Sequence, residues 1–145
     1  MNNKHAFVIF ITALLLIIFT FTVVYNNAGV DVLNPQVITK TVNDNTQYEF
    51  NYSLAAGGNF EVLDCESAFY TSDDQFIGKS STVLENITIG GIPIYENITP
   101  EENVTNFTAK KVKISIFKQK LTPEQKLDNG TYAVDAFYEK TFDLK

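Results

Sequence analysis

The chain of 145 residues contains no arginine and no tryptophan, with a single cysteine, Cys65, and a single histidine, His5. Each shortage removes a class of chemistry. Without Arg there is no planar fork for bidentate capture of phosphate, and with a net charge of −6 the global field repels nucleic acid, so no nucleic-acid partner is expected. One Cys and one His leave most catalytic and metal chemistry short of parts, and a lone Cys forms no disulfide within the chain. Disorder is excluded by composition, because 45% hydrophobic and 19% charged residues are ordinary values for a packed domain. The length leaves room for one such domain.

Against these shortages stands one long apolar run. Residues 6–25 carry no charge, and Thr12, Thr20, Thr22 and Tyr25 are their only polar members. As a helix the run spans about 30 Å, the hydrocarbon thickness of a bilayer. All its faces are apolar, more than a small domain can cover, so lipid is the expected solvent. Lys4 precedes the run, and the first charge after it is Asp31, which places the amino terminus in the cytoplasm and the rest outside. The run exceeds a usual signal-peptide core and no small-residue cleavage pattern follows it, so a retained anchor is favoured over a cleaved signal. The expected division is a cytoplasmic stub, 1–5, a transmembrane helix, 6–25, a linker, 26–36, and an extracytoplasmic domain, 37–145. His5 falls in the stub and cannot serve the outer domain.

Beyond the anchor the pattern has period two. Tyr48, Phe50, Tyr52 and Leu54 alternate with polar residues. So do Val112, Ile114 and Ile116 and, more weakly, Leu63, Cys65, Ser67 and Phe69. Tyr132, Val134, Ala136 and Tyr138 predict a last strand. Turn formers separate these runs at 56–59, 72–74, 90–93 and 128–130. Thr122 and Pro123 predict one helical turn, with Thr122 as cap and Pro123 in first position. Some seven short strands in about 115 residues predict an all-β antiparallel β-sandwich.

Two stretches carry resemblances. Asp128-Asn129-Gly130-Thr131-Tyr132-Ala133-Val134 resembles the corner stretch of immunoglobulin-like domains, with Val134 at the position of the disulfide Cys. This implies that the Tyr132 hydroxyl bonds back to a nearby main chain, in a sandwich held by apolar packing alone. Residues 67–79 and 84–87 resemble the strand, acidic turn, strand and Ile-Gly run of FxLYD-type prokaryotic surface domains. Thr99-Pro100-Glu101-Glu102-Asn103-Val104 resembles those domains' approach to the next strand, with Glu101 in place of Gly. The resemblance implies an immunoglobulin-like envelope module that follows an anchor, binds or supports, and has no known catalytic site.

The most repeated motif is the N-linked glycan acceptor, at Asn51, Asn86, Asn97, Asn103, Asn106 and Asn129. From fourteen Asn and twenty-one Ser plus Thr, chance gives about two. Asn51 is the best-placed candidate, on a wet strand face, and Asn97 the poorest, since Pro100 follows its Thr99. Cys65 is expected buried as a small apolar residue, with an intermolecular disulfide as the alternative. Asp64, Glu66, Asp73, Asp74, Glu101 and Glu102 are the candidate Ca²⁺ carboxylates, but they lack EF-hand spacing, so no metal is expected. The lysines at 110, 111, 113, 118 and 120 are expected to be solvated on the outer face and edge of a strand, where they deter edge pairing. Exposed aromatics such as Phe137 or Tyr70 are candidates to meet a partner. No catalytic residue and no cofactor site is assigned. The expectation is a membrane-anchored, non-catalytic surface module that contacts protein or glycan. The alternative is an accessory subunit docked through its outer domain on a larger membrane complex.

Overall fold

The computed structural model describes residues 9–15 and 29–145. Residues 9–15 are helical and expose apolar side chains, among them Phe10 and Leu15 at 65% and 61%. Among the described residues no helix is long and apolar enough to cross a membrane. The rest of the expected anchor, and His5, lie outside the described residues.

The remainder is all-β. Eight strands form two antiparallel sheets. The first holds β1 (Val30–Val42), β2 (Asn45–Ala56) and β5 (Gly90–Asn97), in the order β1-β2-β5. The second holds β3 (Phe60–Tyr70), β4 (Phe76–Ile87), β6 (Thr99–Pro100), β7 (Lys111–Phe117) and β8 (Tyr138–Asp143), in the order β6-β4-β3-β7-β8. The period-two residues face inward as expected. Phe50, Tyr52 and Leu54 from the first sheet and Leu63, Cys65, Phe69, Val112, Ile114 and Ile116 from the second share one core. Phe50 meets Phe69 edge-on at 5.0 Å across it. Each fully buried side chain of this size contributes about 1.5–3 kcal/mol of apolar burial.

Four expectations are corrected. Strand β1 begins at Val30, pairing with Ala56, so most of the expected linker, 26–36, belongs to the sandwich. A register shift between Leu33 and Gln36, with Asn34 at φ 54°, absorbs Pro35. Residues 90–93 are strand rather than turn, because β5 is an edge strand and tolerates Pro93, which cannot donate to a ladder. Residues 131–137 form no strand. Their burial alternates, but they make a single bridge, Lys126 with Tyr132, and run irregularly until β8 starts at Tyr138. Finally, β7 lies between β3 and β8, so its lysines do not guard a sheet edge.

The β1–β2 hairpin turns at Asn43 and Asp44, both with positive φ (51° and 61°), as a two-residue loop requires to match strand twist. Residues 39–47 are exposed throughout. The tip therefore projects beyond the core.

Candidate functional site

Strand β3 is buried on both faces, and its outer face creates the site. Asp64, Glu66 and Ala68 point away from the core, yet are 0%, 5% and 1% exposed. The cover is the connection from β7 to β8, which folds back as a strap. Thr122 and Pro123 start a short 3-10 turn as expected, and the Thr122 N–H donates to Gln125 Oε1 at 2.9 Å. The Leu121 N–H donates to Asp64 Oδ2 at 2.8 Å, and the Lys126 ammonium lies 2.5 Å from Glu66 Oε1. The Tyr70 hydroxyl donates to the Asn129 carbonyl at 2.9 Å. Asn129 and Gly130 both take positive φ, 61° and 71°, which turns the chain tightly over Ala68. A Cβ on Gly130 would lie 2.4 Å from Ala68 Cβ, so only glycine permits this approach.

Between the strap and strands β4 and β6 opens a cleft of about 510 Å³. That lies within the range of small-ligand sites, roughly 300–1,000 Å³. Glu66 and Lys126 form one side. Asn97, Thr99 and Asn129 add amides and a hydroxyl, and Phe76 and Tyr132 add rings. Burial pushes the Glu66 carboxyl up to about 7, with Lys126 opposing the rise and the neighbouring Asp64 adding to it. The cleft thus offers donors and acceptors around a half-neutralised acid.

No family model, curated protein or solved structure matches the chain. The site is therefore known from its own geometry.

A second polar group lies inside the sandwich. Glu96 of β5 is 2% exposed and faces the core. It accepts the Ser80 hydroxyl of β4 at 2.6 Å and the Tyr52 hydroxyl of β2 at 3.0 Å, so it joins the two sheets. Burial pushes its carboxyl up to about 7, against the lowering effect of these bonds. The alternation of Ile94, Glu96 and Ile98 against exposed Tyr95 and Asn97 is the signal that places it inside.

The other predicted residues fall as follows. Cys65 is fully buried on the inner face, and burial pushes its thiol up to about 12, which leaves it without reactive thiolate. Tyr132 is not in a sheet-crossing strand. It lies edge-on to Phe117 at 4.9 Å, and the hydroxyl that reaches back to main chain at this corner is that of Tyr70. Asn86, Asn97, Asn103, Asn106 and Asn129 are exposed, and Asn97 and Asn129 line the cleft. Asn51, expected on a wet face, is half-buried between Gln36 and Tyr95 on the flanking strands, with its Oδ1 shielded from solvent. The acids do not converge: among the described residues no group of three or more His, Cys, Asp or Glu is placed to hold a metal ion. Asp74 instead pairs with Lys111 at 2.8 Å in the 72–74 turn. Lys118 sits 4.0 Å above the centre of the Phe137 ring, a cation–π contact that occupies this aromatic.

Proposed function

We propose that the protein is a membrane-tethered, extracytoplasmic binding module of immunoglobulin-like build, without catalysis of its own. The observation that carries this reading is the polar cleft, walled by strap and sheet on a rigid sandwich. Binding sites of this kind sit where a scaffold fixes loops over its surface. The sheet order supports the immunoglobulin-like assignment, since β1-β2-β5 and β4-β3-β7-β8 follow the A-B-E and C′-C-F-G arrangement of such sandwiches. The uncharged run 6–25 and the exposed apolar side chains of residues 9–15 support the tether.

Protease added to intact cells that express the full chain tests the topology. The expected result is loss of residues 29–145, with the amino-terminal fragment retained in the membrane pellet. Recovery of the chain in the soluble fraction with its amino terminus intact overturns the tether. Protection of the outer domain until lysis overturns the orientation.

A further inference from the structure

We propose that the cleft between the strap and strands β4 and β6 binds a neutral oligosaccharide. The inference rests on the binding-module reading and names its ligand class. Charge selects first. Glu66, Glu101 and Asp128 on the lining are nearly balanced by Lys79 and Lys126, so neither a strongly anionic nor a strongly cationic ligand gains from the site as a whole.

Hydrogen bonding selects next. A sugar hydroxyl both donates and accepts. The lining answers with the Glu66 carboxylate as acceptor, the Lys126 ammonium as donor, and the side-chain amides of Asn97 and Asn129 as both. Glu66 is almost wholly buried, with its side chain 6% exposed, and the Lys126 ammonium holds its Oε1 at 2.5 Å. The acceptor is thereby fixed in place before any ligand arrives, which lowers the cost of binding.

Shape selects last. Phe76 and Tyr132 give the lining two rings, and a pyranose has an apolar C–H face to set against one. A lipid chain would leave the carboxylate, ammonium and amides unpaired, at a cost its apolar contacts do not offset.

Asn97 and Asn129 are also glycan acceptors by sequence, and a glycan on either would fill the same space. The test therefore uses full-length protein from a host without N-glycosylation, reconstituted in phosphatidylcholine nanodiscs. Saturation-transfer NMR is recorded with four neutral probes, chitotriose, cellotriose, maltotriose and mannotriose, and with trigalacturonate and trilysine as charged contrasts. The expected result is saturable transfer to at least one neutral trisaccharide. Ser81→Trp, which places a bulky ring in the cleft from an exposed strand position, should weaken it at least tenfold. Asn97→Ala should weaken it several-fold, and both variants should keep the parent melting temperature.

Transfer to none of the neutral probes overturns the inference. So does transfer that survives Ser81→Trp in a folded variant, since the sugar would then sit elsewhere. Binding of only a charged probe also overturns it, while leaving the binding-module reading intact. The tether is decided separately by the protease experiment.

Discussion

The Ser80 hydroxyl donates to the Glu96 carboxyl at 2.6 Å, from one sheet to the other, inside the sandwich. Burial is the largest influence on the acid. The native state therefore holds a proton on Glu96 up to about pH 7, whereas the unfolded chain releases it near 4.5. Because the native state binds more protons in that window, stability falls as pH rises from about 4.5 to 7. The shift corresponds to about 3 kcal/mol. Urea midpoints should be higher at pH 5 than at pH 8. Glu96→Gln keeps an acceptor for Ser80 and removes this titration, so it should remove roughly half of that difference, the rest belonging to Glu66, whose carboxyl is raised to the same value. A midpoint that rises with pH in the parent protein would contradict the assignment.

Glu66 moves in the same direction, but its charge has a partner. At pH 5 the carboxyl is largely neutral and Lys126 has little charge to meet. At pH 8 the carboxylate is ionised and nearly buried, with the ammonium 2.5 Å away. Lys126→Met should therefore cost little stability at pH 5 and clearly more at pH 8. Hydrogen exchange should place the loss in residues 121–132. Equal losses at the two pH values would mean that Lys126 contributes packing rather than charge.

The strap depends on one backbone position. Gly130 has φ 71°, and an added Cβ would meet Ala68 Cβ at 2.4 Å and the Tyr70 hydroxyl at 2.8 Å. Gly130→Ala combines left-handed strain with overpacking and should destabilise by at least about 2 kcal/mol. Tyr70→Phe removes only the bond to Asn129 and should cost about 1 kcal/mol. Thermal melts of the two variants check the order, and a Gly130→Ala protein as stable as Tyr70→Phe would refute the close approach.

The strap also marks where the sequence stopped being readable. Alternation found β2 and β7 because each buries one face beside a laddered neighbour, and polar residues mark the other. The same alternation at Tyr132, Val134 and Ala136 is real in burial, yet no ladder forms: their one bridge joins Tyr132 to Lys126, within the strap itself. Period two reports which side is wet and does not report hydrogen-bond partners. Asp64 and Glu66 read in the sequence only as candidate Ca²⁺ carboxylates, for a related reason. Their cover comes from residues more than fifty positions later, and nothing local announces it. The Gly-Gly-Ile-Pro of 90–93 has the composition of a turn, and only its place at the sheet edge makes it strand. The capped turn at Thr122 was legible because capping is a contact between residues three apart.

Modification of the acceptor asparagines follows from burial rather than from alternation. Asn51 sits in β2, the middle strand of its sheet, with Gln36 on one side and Tyr95 on the other. Its Oδ1 is shielded, and a transferase needs the whole amide in reach. The five remaining acceptors are exposed, and Asn103 and Asn106 lie outside regular structure. In a glycosylating host, peptide mapping after endoglycosidase treatment should find Asn51 unmodified and any occupancy confined to the other five. Asn103 and Asn106 should lead, because a segment without ladder bonds can bend into an active site at low cost. Occupancy at Asn51 in folded material would require modification before β2 pairs, and would place glycan transfer ahead of sheet assembly.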